Sequence, residues 1–583
     1  MLRSWILSVA CLSVATLATN AQSAESAESS RPLSPELLGR FDLEAGALAR
    51  LVVPTQASAF QVAVPLGERD VTLTMWPHDV RSLGYRLLVE DETGLHHVPT
   101  PASVTLRGRI LGAPDSRVAG MLVDGKFSAT IHEDLNAPEL GVWAVQPVDE
   151  FGPTSPWHVV YHSADVRDLP GVCGVADAPM QLRERRQTVG AQTLKVCEIA
   201  FDADNQYYNL LGQSVLAVEN DIVNVLNNVD VIYVRDVAIT YELTTVIVRT
   251  AEPDPYTSST PGTLLEQFRS HWNGSQQGVQ RDIAHLFTGR DLSGNVIGVA
   301  WLGVICTSQR PYGLSQSRYT GNLFFRTGLT AHELGHNWNA PHCNTSGGCQ
   351  LMCSSNGGCG GPGGFGPDST ATILAHKATR PCLSDPFPPS LSSLAPSSVQ
   401  AYLGDTLSIS GSNLSGLDRV EVGSNSYDPA FSNLTIVDDS TIELSLIVAP
   451  ALGANAVTAF NLAGPSNALN VDVTVTEPPR LAAPGVGVLG SNLLYTTGSE
   501  PGEVWYLFAS LDDPTTLPFQ GYDVLVSSSW LGLSGTLDAV GFGATSITVT
   551  DPSLLNRTVY LHSILLGPGF AGVTNVDSTT FIL

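Results

Sequence analysis

The stretch His332–His342, which reads HELGHNWNAPH, contains the residues best suited to chemistry. His332 and His336 are four residues apart, so on a helix both imidazoles project from one face and can reach one metal ion. His342 follows after a break and supplies a third imidazole. Three neutral imidazoles that leave one coordination position open are the ligand set of a catalytic zinc ion. Glu333, beside the first histidine, is placed to act as the base that activates a water.

The residues around these histidines also predict the local backbone. Residues 327–337 contain no proline and carry apolar residues at Leu329, Ala331 and Leu334, as expected of a helix. Asn339 stands where the chain must turn back towards the third histidine, and such a turn needs a positive φ. Asn is one of the few residues other than Gly that tolerate this conformation. We therefore expect a helix up to position 337 and a left-handed residue at position 339.

The motif and the sequence around it resemble the adamalysin/reprolysin-type metalloproteases, which are metzincins, over roughly residues 195–386. The resemblance implies an α/β catalytic domain with a mixed sheet and a zinc-dependent endopeptidase. The roles that it implies within the motif are zinc ligand for His332, His336 and His342, and general base for Glu333.

The same resemblance assigns roles outside the motif. Met352, in the Gly- and Cys-rich stretch CQLMCSSNGGCGG, is expected in a turn that forms a hydrophobic floor beneath the histidines. Gly298–Gly303 is expected to be the edge strand of the sheet. Because an exposed edge pairs with an extended peptide through backbone hydrogen bonds, the expected substrate is a protein chain. Cys306 and Cys382 occupy positions that the family joins by a disulfide.

Strand-like and helix-like runs alternate along the sequence around the motif, and this alternation by itself favours an α/β domain. The predicted strands are LKVCEIAF (194–201), DVIYV (230–234), DVAITYEL (236–243) and VIVRT (246–250). The predicted helices span residues 207–229, about 263–272 and about 369–379.

The region before the catalytic stretch predicts a propeptide. Residues 51–161 show short alternating runs, typical of a β-rich domain, and residues 106–131 resemble the propeptide of the same family. The segment LPGVCGVAD around Cys173 resembles a cysteine switch, in which a propeptide thiol fills the open zinc position. The alternative is that Cys173 is half of a disulfide. The segment RERR (Arg183–Arg186) lies ten residues further along the chain. It is either a dibasic processing site or a stretch of charged residues that is simply solvated.

The other acidic and cysteine residues carry further expectations. Glu198, Asp282 and Asp385 fall where the family has ligands for a structural Ca²⁺. The alternative is that they are three ordinary surface acids, which are common in so acidic a chain. The four cysteines between the motif and the last helix could form two local bridges whose connectivity is open: Cys343, Cys349, Cys353 and Cys359. Cys197 is left over without a predicted role.

Length and composition limit the number of domains and the possible binding partners. The 583 residues are too many for one core. A net charge of −26 excludes nucleic acid as a partner, because a polyanion would be repelled. The start resembles a secretory signal peptide, and no later stretch is long and apolar enough to span a membrane. The predicted domains are a signal peptide (1–21), a propeptide (22–186), a catalytic domain (187–386), an IPT/TIG-like immunoglobulin-type domain (387–478) and a C-terminal β domain (479–583).

The sequence thus predicts a multidomain fold, in which an α/β metzincin domain follows a β-rich propeptide and precedes two all-β, sandwich-like domains. The expected function is that of a secreted, latent zinc metalloendopeptidase. A first alternative is a non-catalytic adhesion protein whose C-terminal domains bind a matrix, a carbohydrate or a cell-surface protein. A second is a zinc hydrolase that acts on a non-protein amide, which the peptide-binding edge strand disfavours.

Overall fold

The computed structural model describes residues 30–57, 59–175, 193–343, 350–355, 363–400 and, with short gaps in its loops, 403–582. The predicted signal peptide, the RERR stretch, Cys349 and Cys359 lie outside the described residues. No helix within the described ranges has both the length and the apolar character needed to span a bilayer.

An antiparallel sheet forms the N-terminal domain. Its order is β1-β2-β11-β10-β9-β8-β7-β4-β3, and alternate residues such as Val62, Val64 and Leu66 on β3 are buried in its core. The β-rich region expected from the alternating runs is therefore present. The strands of this region, with helix α1 at Pro35–Arg40, are β1 Ser30–Pro32, β2 Ala47–Arg50, β3 Phe60–Leu66, β4 Arg69–Pro77, β5 Arg81–Asp91, β6 Gly94–Val98, β7 Thr105–Ile110, β8 Arg117–Val123, β9 Lys126–His132, β10 Val142–Pro147 and β11 Trp157–His162.

A mixed eight-stranded sheet with helices packed against it forms the catalytic region. Its order is β12-β16-β17-β15-β13-β14-β5-β6, so hairpin β5–β6 of the N-terminal region completes one end. Strands β13, β14, β15 and β17 run parallel, whereas β16 is antiparallel to β17. The elements are β12 Val172–Cys173, β13 Lys195–Ala203, α2 Asn205–Leu210, α3 Val215–Val237, β14 Ile239–Arg249, α4 Pro261–Ser275, β15 Ile283–Phe287, β16 Val296–Ala300, β17 Tyr312–Ser315, α5 Leu323–Asn337 and α6 Pro367–Lys377.

Four of the predicted elements are corrected by the structure. The run DVIYV is not a strand but the last part of α3. β-branched residues favour strands locally, yet Ile222, Val225, Leu226 and Val229 recur at helical spacing and pack on the sheet, and the helix continues through the run. The runs DVAITYEL and VIVRT contribute to the single strand β14, which spans Ile239–Arg249, while Asp236 and Val237 still belong to α3. The predicted helix 207–229 is two helices, broken at Gly212 and Gln213, which both have positive φ.

The edge strand also differs in its limits from the prediction. β16 spans Val296–Ala300, and the chain turns at Trp301–Gly303, where Gly303 has a φ of 68°. Glycine adopts this conformation without the Cβ clash that other residues meet.

From Ser390 to Ile582, about the last third of the chain, the regular elements among the described residues are β-strands. In the part nearer the catalytic domain, the sheets β18-β20-β24-β23 and β19-β27-β25-β21-β22 share one core, so it is a two-sheet sandwich. The last part contains three further sheets, and the two larger ones, β28-β30-β35 and β29-β38-β36-β31-β34, contribute to a second core. The strands are β18 Ser390–Ala395, β19 Ser398–Gln400, β20 Leu403–Ser412, β21 Leu417–Val422, β22 Asn425–Tyr427, β23 Leu434–Asp438, β24 Thr441–Leu446, β25 Gly453–Asn461, β26 Gly464–Pro465, β27 Leu469–Thr474, β28 Arg480–Ala482, β29 Val486–Val488, β30 Asn492–Gly498, β31 Val504–Leu511, β32 Thr516–Phe519, β33 Tyr522–Leu525, β34 Ser529–Thr536, β35 Phe542–Thr548, β36 Thr558–Leu566, β37 Phe570–Val573 and β38 Asp577–Ile582.

Candidate metal centre

Helix α5 carries the first two histidines and is buried along its whole length. It begins where Asn322 Oδ1 accepts a hydrogen bond of 3.1 Å from Phe325 N, which satisfies one of the N–H groups that a helix start leaves open. It ends at Asn337, as predicted. Its surroundings, the sheet on one side and the N-terminal domain on another, exclude water from the histidines.

The three histidines converge on one point. The Nε2 atom of His342 lies 3.3 Å from Nε2 of His332 and 3.1 Å from Nε2 of His336. A zinc ion about 2.05 Å from each nitrogen in tetrahedral geometry would hold the nitrogens about 3.3 Å apart. The donor set and its spacing therefore fit Zn²⁺, as the sequence predicts.

Carbonyl groups fix the ring orientation of two of these histidines. Nδ1 of His332 donates to the carbonyl of Leu351 at 2.6 Å, and Nδ1 of His336 donates to that of Ala340 at 2.7 Å. With the proton held on Nδ1, each ring presents the lone pair of Nε2 to the shared point. Burial lowers the pKa of His332 to about 3, so its ring is neutral at physiological pH and able to ligate a cation.

Glu333 lies beside this point on the same helix. It is fully buried, and its Oε1 atom has no hydrogen-bond partner among the described residues. A buried carboxylate oxygen without a partner is costly and calls for a water or a substrate group. Burial raises the pKa of Glu333 to about 8, whereas the nearby Cys173 thiol lowers it. A divalent cation held by the histidines would favour the charged carboxylate over the neutral acid. The carboxylate is thus placed next to the position that the three imidazoles leave open.

Three residues that the sequence analysis did not single out shape this space. A Cβ at Gly298 on β16 would collide with the Glu333 carboxylate, and one at Gly335 would lie 2.6 Å from Met352 Sδ. Asn337 donates from Nδ2 to the carbonyls of Trp301 and Tyr312, both at 3.0 Å, and so ties α5 to the edge strand. A glycine inside a strand or a helix is the sequence signal that could have identified the first two.

Met352 lies directly under the helix. It is fully buried, and its sulfur and methyl group contact the backbone at Gly335 between the two helical histidines. Its neighbour Leu351 supplies the carbonyl that orients His332. The turn around Met352 therefore supports the histidines from below, where the sequence analysis expected it.

Asn339 adopts the expected left-handed conformation, with a φ of 75°. Its N–H donates to the carbonyl of His336 at 2.8 Å, and its side chain packs over Gly303. This turn redirects the chain so that His342 returns to the other two histidines.

We expect Asn339→Ala to lower the melting temperature of the catalytic domain, and Asn339→Gly to lower it less. The left-handed conformation costs an ordinary L-residue about 1–2 kcal/mol, whereas glycine adopts it freely. Calorimetry of both variants checks this. Equal melting temperatures for the two variants would show that loss of the Asn side chain, and not the backbone conformation, sets the stability of the turn.

Cys173 lies over the histidines from the N-terminal side. Its Sγ atom is 3.3 Å from Nε2 of His336 and 3.5 Å from Oε2 of Glu333, and it forms no disulfide. The thiol and the three imidazoles all have their ligand atoms within 4.8 Å of one another. A sulfur at about 2.3 Å from a tetrahedral zinc would lie about 3.6 Å from each nitrogen. The position of Cys173 therefore fits the fourth ligand of the same ion.

The segment around Cys173 occupies the edge of the sheet. Strand β12 pairs in parallel with β16, and Gly174 N donates to the carbonyl of Gly298 at 2.8 Å. On its other side, Cys173 N donates to the carbonyl of Ser354 at 2.9 Å. The backbone groups expected to hold an extended substrate are thus used by the chain's own N-terminal segment.

The predicted calcium ligands are near one another but form separate contacts. Asp282 Oδ2 accepts from Glu198 N at 3.0 Å, Glu198 Oε1 accepts from Gln280 at 2.6 Å, and Asp385 pairs with Lys195 at 2.5 Å. Burial and the Glu198 charge raise the pKa of Asp282 to about 6. Among the described residues, no cluster of metal-ligand atoms contains Glu198 or Asp385. The calcium site stays a prediction.

The cysteines of the catalytic domain fall into two groups. Cys306 and Cys382 are joined by a disulfide, as the resemblance implied, and Cys343 and Cys353 each take part in a disulfide bond. Cys197 forms none; it lies in the core on β13, and burial raises the pKa of its thiol. Cys197 is therefore a packing residue.

Comparison with known proteins agrees with this geometry. Residues 193–384 match the Reprolysin_5 profile, described as "Metallo-peptidase family M12". This segment is an adamalysin/reprolysin-type metallopeptidase domain. Similar proteins include "Disintegrin and metalloproteinase domain-containing protein 10" of Bos taurus, with 24% identity over 40% of this chain and 39% of that protein. They also include the protein of the same name from Xenopus laevis, with 24% identity over 43% of this chain and 41% of that protein.

A third relative is "Disintegrin and metalloproteinase domain-containing protein 12" of Mus musculus, with 28% identity over 33% of this chain and 23% of that protein. The chain spans about two fifths or less of the length of these relatives. The likeness therefore establishes the metallopeptidase domain and does not extend to the activity of the whole protein.

Proposed function

We propose that this protein is a secreted zinc endopeptidase that is made in a latent form. The observation that carries the proposal is the convergence of three imidazole Nε2 atoms within 3.1–3.3 Å beside a buried carboxylate, with a thiol over the open position. Metal ligands, base and inhibitory group are all contributed by one chain.

Bound zinc supplies a Lewis acid that lowers the pKa of a water to about 7 and stabilises negative charge on the scissile carbonyl oxygen. Glu333 takes the proton of the attacking water through the carboxylate oxygen that has no partner in the latent form. It then passes this proton to the leaving amine, so one carboxylate acts first as base and then as acid. Gly298 leaves room for this carboxylate beside the edge strand.

Substrate binding is proposed to use the outer edge of β16. The Gly298 carbonyl, which accepts a hydrogen bond from Gly174 N in the latent form, becomes available to an extended peptide when β12 leaves. Backbone pairing of this kind holds any extended chain, which supports a protein substrate over a small amide.

Removal of the metal tests the proposed function. We expect the cut protein, freed of its N-terminal domain, to cleave a denatured protein, and a chelator to abolish the cleavage. Zinc added back should restore it, whereas calcium alone should not, because hydrolysis depends on the nitrogen-ligated site. Fragment analysis by mass spectrometry is the measurement. Cleavage that persists in the chelator would contradict the proposal.

The proposal also covers the parts of the chain outside the metallopeptidase domain. We infer that the two C-terminal β regions, including the IPT/TIG-like domain at 387–478, bind a matrix, a carbohydrate or a cell-surface protein, and that residues 1–21 direct export. We also propose a propeptide at 22–186, a catalytic domain at 187–386 and a C-terminal β domain at 479–583. A structural Ca²⁺ held by Glu198, Asp282 and Asp385 is part of the same proposal.

A further inference from the structure

His285 is a buried imidazole on the face of the catalytic sheet that packs against α5. It lies at the centre of β15 and stands in register with Gly313 of β17, which in turn pairs with Ala300 of β16. Burial lowers the pKa of His285 to about 3, so the ring is neutral and carries one N–H. Its Nε2 atom is 2.9 Å from Ser315 Oγ, whereas its Nδ1 atom has no hydrogen-bond partner among the described residues. A buried ring nitrogen of this kind calls for an explanation.

Asn337, the last residue of α5, has a side-chain oxygen that needs a donor. Its Nδ2 atom donates to the carbonyls of Trp301 and Tyr312, both at 3.0 Å. Because both partners can only accept, the orientation of the amide is fixed and its oxygen must point the other way. Asn337 is fully buried, and its Oδ1 atom meets no donor among the described residues.

These two atoms meet over Gly313. A Cβ at Gly313 would lie 3.2 Å from His285 Nδ1 and 3.0 Å from Asn337 Oδ1, so glycine lets the imidazole and the amide approach the same place. With the ring proton on Nε2, the lone pairs of Nδ1 and Oδ1 would oppose each other. With the proton on Nδ1, the same two atoms are a donor and an acceptor, and the Ser315 hydroxyl can donate to Nε2. Only this second arrangement gives every buried group a partner.

Asn337 lies where the helix of the metal ligands meets the edge strand. Its side chain holds the carbonyl of Trp301, the residue that follows β16, and its own carbonyl accepts from Val304 N at 2.9 Å. The same strand carries Gly298, which lies against the Glu333 carboxylate. The position of Asn337 therefore sets the distance between the strand proposed to hold the substrate and the base proposed to act on it.

We propose that His285 is a positioning residue, which donates from Nδ1 to Asn337 Oδ1, directly or through one buried water, and so fixes α5 relative to β16. The inference rests on the proposed function, because the distance between helix and strand matters for a substrate held on β16. His285 is not among the ligand atoms that converge on the metal position. It acts through Asn337, so its loss should disturb the alignment of substrate and base and leave the metal bound.

The tautomer of His285 tests the hydrogen bond without reference to catalysis. Histidine with isotope-labelled ring nitrogens is incorporated into the full chain, and the NMR signal of His285 is identified by its loss in His285→Gln. We expect nitrogen chemical shifts typical of a ring protonated at Nδ1. In Asn337→Ala, the ring N–H should exchange with solvent roughly tenfold faster, because its acceptor is gone. A parent ring protonated at Nε2 would overturn the proposal, whether or not Asn337→Ala folds.

Two substitutions separate the roles of the two ring nitrogens. Both are made in the full chain carrying Cys173→Ala, which is expected to be active without a cut. In His285→Asn the new amide takes the place of Nδ1, whereas in His285→Gln it takes the place of Nε2. We expect His285→Asn to keep kcat within about threefold of this background, and His285→Gln to lower kcat roughly tenfold while KM stays within about twofold. Both variants should bind one zinc ion per chain.

His271→Asn is the matched control, because it removes a half-buried imidazole on α4 that packs against the ring of Tyr256 instead. It should leave kcat and KM unchanged. Equal losses of kcat in His285→Asn and His285→Gln, in step with their melting temperatures, would show that His285 only fills space, and the proposal would fail. An inactive Cys173→Ala background would count against the proposed function, while the tautomer of His285 would still decide the hydrogen bond.

Discussion

Glu333→Gln will reduce peptide hydrolysis by about 10²–10⁴-fold, the usual contribution of a positioned general base. The amide has the shape of the carboxylate but cannot accept the proton of the attacking water. The carboxylate does not belong to the imidazole set that fits zinc, so the variant should still bind one zinc ion per chain. The measurement is the steady-state rate on a peptide substrate, made on protein freed of its N-terminal domain.

The control for this variant is Glu266→Gln, which alters an exposed carboxylate on α4 of the catalytic domain. It should leave the zinc content and the melting temperature unchanged. If Glu333→Gln retains turnover within tenfold of the parent while its zinc content is unchanged, another group must act as the base.

Cys173→Ala will raise the activity of the uncut chain at least tenfold on a short peptide. In the parent, the thiol lies 3.3 Å from Nε2 of His336 and fits the position that a reacting water needs. Alanine cannot ligate a metal, so this position opens without a cut. The measurement is the initial rate of peptide cleavage by uncut protein, compared with that of the parent.

Cys197→Ala is the matched control, because this thiol is buried in the core away from the histidines and forms no disulfide. It should not raise activity. An uncut Cys173→Ala chain as inactive as the parent would mean that pairing of β12 with β16, and not the thiol, blocks the site.

The local predictions that succeeded depended on short-range rules. The spacing of His332 and His336 decides which helix face they share, and the left-handed conformation of Asn339 follows from what its side chain tolerates. The end of α5 at Asn337 was also predicted, whereas the helix begins at Leu323, before the predicted stretch 327–337. The Cys306–Cys382 bridge was implied by the family resemblance. Where local preference and tertiary packing disagreed, packing decided, as in the β-branched run 230–234 that became the end of α3.

The sequence by itself predicted the chemical groups of the candidate site. Residue type and spacing predicted the three imidazoles and the carboxylate beside them, whereas the family resemblance implied the roles of the methionine after them and the thiol before them. Only the tertiary structure decided that hairpin β5–β6 completes the catalytic sheet, that the asparagines of α3 face the N-terminal domain, and that Gly298 leaves room for Glu333. The physical reason is that these contacts join residues more than 30 positions apart, and no local periodicity records which surfaces will meet.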